Sequence, residues 1–330
     1  MKQTMFTERK LLYLTRADVE AVALSPGDSI AAVEQALWEK ALCHTTMPPK
    51  HWLAPEPDRF FSAMSSALPA VSAAACKWQS GSPQNRRYGL PFITGLLILN
   101  DLETGAPLAV MDSTWLTAQR TAAATAVTAR HLSKPNSRTL AVLGCGVQGR
   151  TNLAMTRLVC AGLGTVRAFD IVPEALQRYA AEMTAEHGVA VLQCRSPREA
   201  IENADIVVTC GPITSNPDRV IEPGWLSPGT LAVTLDYDCY WQPAALRAVD
   251  ALYTDDRAQL EHLKEYGYFA AVAGLTAELG DVVAGLKPGR RSDKDVLISM
   301  NMGIALEDVA IARRIYDQAI NRGCGAWLPW

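Results

Sequence analysis

No stretch of this 330-residue chain approaches eighteen uninterrupted apolar residues, and its opening MKQTMFTERK has no apolar core. Neither a membrane span nor an export signal is therefore expected. Basic blocks are missing as well: 31 lysines and arginines face 34 acids, which implies no nucleic-acid partner and no membrane surface. The eight cysteines (Cys43, Cys76, Cys145, Cys160, Cys194, Cys210, Cys239, Cys324) form no C-x-x-C pair. The five histidines (His44, His51, His131, His187, His262) share no ligand spacing, so no metal site is expected. Thiols embedded mainly in apolar sequence read as reduced core residues of a cytoplasmic protein. Repeats and low-complexity tracts are also lacking.

What is present suits a large core. Hydrophobic residues make up 49% of the chain and charged ones 20%, enough for one or two globular domains acting on small organic molecules. The organising stretch is TLAVLGCGVQGRTNLAM, Thr139 to Met155, in which an apolar run meets Gly144, Gly146 and Gly149 at the spacing G-x-G-x-x-G. The first glycine permits a sharp reversal, the second lets backbone N–H groups approach a pyrophosphate, and the third lets a helix pack on the strand. A helix N-terminus beginning at Val147 and Gln148 then offers unpaired N–H groups to the phosphates.

The next apolar segment, TVRAFD, ends in Asp170, twenty-one positions after Gly149, where a carboxylate can bind ribose hydroxyls. A carboxylate there would repel a 2′-phosphate, and Ile171, Val172 and Pro173 bring no basic residue to offset it. NAD(H) is therefore expected in preference to NADP(H).

Around this centre the chain divides in two styles. Before it come a short strand at Leu11 to Leu14, an amphipathic helix after Asp28 and a proline-rich extended passage from Thr45 to Asp58. Short apolar runs from Phe60 to Leu99 then read as strands, with a hairpin turn at Asp101 to Gly105 leading into Pro107 to Met111. An alanine-rich helix, Thr117 to Leu132, follows. After Asp170 the rhythm is doubly wound: helices near 173–187 and 197–203, and strands near 189–194, 205–209, 229–235 and 251–254. Leu275 to Pro288 reads as helical, and a last helix near Gly303 to Asn321 should return to the N-terminal unit.

Three basic residues could serve a substrate anion. Lys50 lies in the proline-rich passage, Lys77 interrupts an otherwise apolar strand, and Arg120 sits in the first turns of the alanine-rich helix. A guanidinium and an ammonium converging on one carboxylate would fix its orientation. Asp236 and Asp238 end a strand among Tyr237, Cys239, Tyr240 and Trp241, where Asp238 is a candidate acid or base and Asp236 reads better as a turn residue.

With these residues in place the chain resembles the ornithine cyclodeaminase and mu-crystallin family, which also includes archaeal-type alanine dehydrogenases and ketimine reductases. The resemblance is carried by GLLILNDLETGAPLAVMDSTWLTAQRTAAATAV (95–127), the LGCGVQG turn, ELGDVVAGLKPGRRSD (278–293) and MGIALEDVAIARRIYD (302–317). It implies an α/β protein: a Rossmann-type doubly wound parallel sheet plus a discontinuous α+β domain for substrate binding and dimerisation. The expected division is 1–116 with 300–330 for the latter and 117–299 for the NAD domain, and a homodimer is expected.

By the same resemblance Lys77 corresponds to a substrate-contacting, catalytic lysine, Arg120 to the carboxylate-binding arginine, and Lys50 to a basic residue at the edge of the site. Asp238 corresponds to the catalytic aspartate, and Thr121 joins Gly144, Gly146, Val147, Gln148, Gly149 and Asp170 as cofactor-binding. The family's cyclodeaminases carry a glutamate before a Met-Pro pair for a distal amine, whereas this chain has Ser62-Ala63-Met64-Ser65. Tyr240 and Trp241 further suggest a more aromatic pocket. The expected activity is NAD(H)-dependent reduction of a cyclic or open imine of a 2-oxo acid, or the reverse amino acid dehydrogenation. A lyase that cycles NAD+ while releasing ammonia, and a binding protein for NAD(H) and a small ligand, remain open.

Overall fold

A computed structural model describes residues 9–22 and 24–330. Two sheets account for its strands. The first collects β1 (Lys10–Leu14), β2 (His51–Glu56), β3 (Arg59–Leu68), β4 (Ala73–Gly81), β5 (Ile93–Asp101), β6 (Pro107–Asp112) and, from the far end of the chain, β15 (Ala326–Pro329). Their order is β15-β1-β6-β5-β4-β3-β2, and β3 to β6 form antiparallel neighbours, as short turns require. Alternation puts Phe60, Ser62, Met64, Lys77, Gln79, Leu97, Leu99, Ala109 and Met111 on the buried face.

Helices cover that face. α1 (Arg16–Val22) and α2 (Pro26–Ala41) come first, and α2 starts cleanly because the Ser25 hydroxyl accepts from Asp28 N–H at 3.0 Å and Pro26 needs no donor. Ile30, Val33, Ala36 and Leu37 then recur on one buried stripe. α3 (Thr114–Leu132) is rich in alanine and threonine, packs against α2 and the glycine-motif helix, and is buried along nearly its whole length. α10 (Ala305–Arg322) returns over β3 and β4, as expected for the last helix.

The second sheet is all parallel: β7 (Thr139–Leu143), β8 (Thr165–Phe169), β9 (Ala190–Gln193), β10 (Ile206–Thr209), β11 (Leu231–Thr234), β12 (Ala251–Thr254), β13 (Ala277–Glu278) and β14 (Leu297–Met300), ordered β13-β12-β14-β11-β10-β7-β8-β9. Helices α4 (Val147–Val159), α5 (Pro173–His187), α6 (Pro197–Ile201), α7 (Pro243–Arg247), α8 (Arg257–Lys264) and α9 (Leu279–Val283) complete this half. The fold is thus a doubly wound α/β sheet joined to an α+β unit. No described helix is long and apolar enough to cross a membrane.

Several local expectations are corrected. The sheet does not finish at β12: β14 inserts between β11 and β12, a four-residue run hidden after the charged RRSDKD. Leu275 to Pro288 is not one helix, because residues 277–278 pair with β12 and α9 is held to five residues before Gly285 turns with φ +72°. The passage read as extended does contain a strand: His51–Glu56 pairs with β3 despite Pro55, as a strand at the sheet edge can. β15 carries no sequence signal, because a four-residue exposed strand at an edge shows no alternation.

Candidate active site at the carboxyl ends of the parallel strands

The glycine turn between β7 and α4 has the geometry its glycines demand. Gly144 takes φ +107°, and a Cβ there would lie 2.7 Å from Cys210 O. Gly149 packs so closely under the turn that a Cβ would stand 2.3 Å from Gly144 O. Beside Gly146, the cap residue of α4, such an atom would meet nothing within 4 Å. The turn is therefore closed on the sheet side and open where a phosphate would approach. Asp170 braces it, accepting from Cys145 N–H at 2.7 Å and from Val172 N–H at 2.8 Å. Val147 is exposed, Gln148 half-buried, and Thr121 lies inside α3 with its hydroxyl donating to Thr117 O at 2.8 Å.

The three basic candidates converge. Lys77 Nζ, wholly buried on β4, donates to Asp308 Oδ1 at 2.8 Å and to Thr117 Oγ1 at 3.3 Å. Arg120 Nε stands 3.2 Å from the same Asp308 oxygen, and its Nη1 donates to Glu307 Oε2 at 3.2 Å. Lys50 Nζ donates to Met302 O at 2.9 Å and lies 5.2 Å from the centre of the Tyr237 ring. Its own N–H is held by Gln259 Oε1 at 2.7 Å. Gly303, with φ +77°, makes room for Arg120: a Cβ there would stand 2.1 Å from Nη1.

The acids that answer these cations carried no signal of their own. Glu307 and Asp308 occupy the first turn of α10, and Asp255, just after β12, accepts from Gly303 N–H at 2.6 Å. Adjacent acids at a helix start read as ordinary complements to the helix dipole. Only folding shows that they face inward against Lys77 and Arg120.

Burial dominates the electrostatics. It pushes Lys77 down to about 8, although Asp308 resists, and Lys50 down to about 7, with Asp255 resisting and Arg120 and Lys77 assisting. For Arg120 the penalty of burial is outweighed by Asp308, Glu307 and Asp255, which hold the guanidinium above its ordinary value. Burial lifts Glu307 to about 8 and Asp255 to about 7. Arg120 Nε, Glu307 Oε1 and Asp308 Oδ2 are buried without a hydrogen-bond partner among the described residues. Unpartnered buried polar atoms are costly in an interior, and a polar ligand seated among Arg120, Glu307 and Asp308 would satisfy these.

Asp238 stands apart. Its Oδ2 accepts from Arg219 Nη2 at 3.1 Å, and its carboxylate makes none of the polar contacts of the Lys77–Arg120 cluster. Between the two aspartates, Tyr237 adopts φ +59° and turns its ring into the core beneath Lys50. Asp236 is structural rather than a simple turn residue: its carboxyl accepts from Thr209 Oγ1 at 2.7 Å and Gly211 N–H at 3.1 Å, tying β10 to β11. Trp241 does not line a pocket. It is fully buried and donates its indole N–H to Thr209 Oγ1 at 3.2 Å, while Tyr240 packs over Gly211. Among the described residues no acid, cysteine or histidine cluster has the form of a metal site.

A cavity of about 360 Å³ opens between the β2–β3 hairpin and the loop after β10, with Trp52, Phe60, Ile213 and Tyr268 in its walls. Asp58 at the hairpin tip crosses to that loop, accepting from Ser215 N–H at 2.7 Å and Ser215 Oγ at 2.9 Å.

Comparison with known proteins agrees with this architecture. The chain is 34% identical over 321 residues to the nodulation efficiency protein NfeD of Rhizobium meliloti, covering 96% of this chain and 98% of that protein. It is 32% identical over 329 residues to an alanine dehydrogenase of Archaeoglobus fulgidus, covering 97% and 98%. Among solved structures, the Δ1-pyrroline-2-carboxylate reductase of Thermococcus litoralis, in complex with NADH and L-proline, superposes with a TM-score of 0.87 at 30% identity, covering 96% of this chain and 99% of that one. The family model for ornithine cyclodeaminase/mu-crystallin matches residues 9–323, and the chain belongs to that family.

Proposed function

We propose that this protein is an NAD(H)-dependent oxidoreductase that reduces the imine of a 2-oxo acid to an amino acid, or runs the reverse dehydrogenation. The observation that carries this reading is the meeting of Lys77 and Arg120 on one oxygen of Asp308, at 2.8 and 3.2 Å, beneath the carboxyl ends of the parallel strands. Ligands of open α/β sheets bind at that edge. The relatives above include a reductase solved with NADH and L-proline, a product of this class.

The cofactor fits the turn. Gly144, Gly146, Val147, Gln148 and Gly149 would hold its pyrophosphate, Thr121 would line the cleft, and Asp170 would take the ribose hydroxyls. A carboxylate there, followed by an 81% exposed Ile171, favours NAD(H) over NADP(H). Bound nicotinamide supplies or accepts the hydride. The chain's own residues do the rest: Arg120 and Lys77 orient the substrate carboxylate, Lys50 adds positive charge at the edge, and Lys77 gives the nitrogen its proton in reduction, while Asp238 stays paired with Arg219 outside the cluster. Burial excludes water and strengthens these contacts.

We assign residues 1–116 and 300–330 to a substrate-binding and dimerisation domain, of which 1–8 and 23 lie outside the described residues, and 117–299 to the cofactor domain. The outer face of the first sheet presents Trp78 (45% exposed), Leu96 (46%) and Ile98 (45%), an apolar patch suited to a second copy.

The test follows NADH absorbance with Δ1-pyrroline-2-carboxylate, Δ1-piperideine-2-carboxylate, and pyruvate with ammonia, beside an ammonia assay with ornithine and NAD+. NADH loss with an imine is expected. Ammonia release without net NADH change would replace this reading with a lyase, and silence in both assays despite NADH binding would overturn it in favour of a binding protein.

A further inference from the structure

Along the inward face of the first sheet, the register places Met64 opposite Lys77 and Ser62 opposite Gln79. Ser62 and Gln79 are thus immediate neighbours of the lysine on the same face, about 7 Å further along their strands. Both are buried, at 0% and 8% exposure, yet Ser62 Oγ and Gln79 Oε1 have no hydrogen-bond partner among the described residues. The Gln79 amide N–H reaches only Met64 Sδ, at 3.8 Å, a weak acceptor. One step further along, Phe60 faces Gly81 and forms part of the wall of the 360 Å³ cavity. Along this face Lys77 is thus followed by Ser62 and Gln79, each with an unpartnered oxygen, and then by Phe60 in the cavity wall.

We propose that Ser62 and Gln79 form a neutral hydrogen-bonding subsite for the substrate side chain, so that the enzyme selects amino or imino acids carrying an uncharged polar group at the γ or δ position. This rests on the oxidoreductase reading for the placement of the α-carboxylate at Lys77 and Arg120. With the carboxylate there, a side chain of two to three atoms reaches the next residue pair. A cationic side chain finds no acid among Ser62, Met64 and Gln79, so its desolvation is unrepaid. An aliphatic one leaves the buried amide and hydroxyl without partners, the arrangement that discriminates most strongly against a missing polar group. An amide or hydroxyl satisfies both, since glutamine and serine each donate and accept.

The experiment compares near-isosteric pairs: L-asparagine against L-leucine, and L-glutamine against L-homoleucine, with L-ornithine beside them. Reduction of NAD+ is followed by absorbance for the wild type, Gln79→Leu and Ser62→Ala. Calorimetric titration of the same acids into the protein–NADH complex runs in parallel. The expected result is a preference of about tenfold or more in kcat/KM for the polar member of each pair. That ratio falls toward one in Q79L and partway in S62A, the milder variant guarding against misfolding of the first. Turnover with equal ratios in all three proteins, or a preference for ornithine, would overturn the subsite and leave the oxidoreductase standing. Binding without turnover, with discrimination still lost in Q79L, would keep the subsite and overturn the reaction. Neither binding nor turnover would overturn both.

Discussion

Substituting Gly303 with alanine drives a methyl group into the guanidinium of Arg120. The added carbon would stand 2.1 Å from Nη1 and 2.8 Å from both Cζ and Nη2, where ordinary contact begins at 3.4 Å. The guanidinium has to retreat by more than an ångström, breaking the 3.2 Å bond from Nη1 to Glu307 and the 3.2 Å approach of Nε to Asp308. Alanine at φ +77° adds backbone strain of roughly 1–2 kcal/mol, which lowers the melting temperature by a few degrees. The larger effect falls on the substrate: displacing a charged donor costs roughly 1.5–3 kcal/mol, or about ten- to hundredfold in KM. The assay measures KM for Δ1-pyrroline-2-carboxylate at saturating NADH, with NADH affinity as control. That affinity should hold, because the glycine turn is untouched. In a double-mutant cycle, G303A should add little to R120A. A G303A variant with unchanged KM would refute the assignment of Arg120 as carboxylate anchor.

Gly149→Ala places a carbon 2.3 Å from Gly144 O, a backbone atom with no freedom to yield, so NADH affinity measured by fluorescence titration should fall at least about tenfold. Unchanged affinity would remove the turn from the cofactor site. Burial lifts Asp236 to about 7, above its unfolded value near 4, so the folded state keeps a proton that the unfolded state releases between those pH values. Its contribution to stability is complete below about pH 4 and lost as pH rises through 7. Asp236→Asn removes that loss, worth at most about 4 kcal/mol, so the variant should gain melting temperature relative to wild type at pH 8 compared with pH 5. A parallel pH dependence in both proteins would contradict it. Trp78→Glu, on the exposed sheet face, should shift the protein to monomer in sedimentation equilibrium while its circular dichroism stays unchanged; an intact dimer would move the interface elsewhere.

Much of this protein is determined by local sequence. The G-x-G-x-x-G turn, Asp170 at the end of the next strand and the long amphipathic helices are legible because each depends on residues near in the chain: glycine where φ is positive or Cβ has no room, apolar side chains at helical spacing. Lys77 and Arg120 are legible as anomalies, a lysine within an apolar strand and an arginine within an alanine-rich helix. Tertiary structure decided what those charges meet. Asp308 lies 231 positions from Lys77 and Glu307 lies 187 from Arg120, separations at which no local pattern operates. It also decided that Tyr237, not Asp238, turns toward Lys50, and that Trp241 belongs to the core. The strand β14 and the pairing of β15 with β1 likewise depend on neighbours supplied from elsewhere, because a strand of four residues has no stability until a sheet receives it.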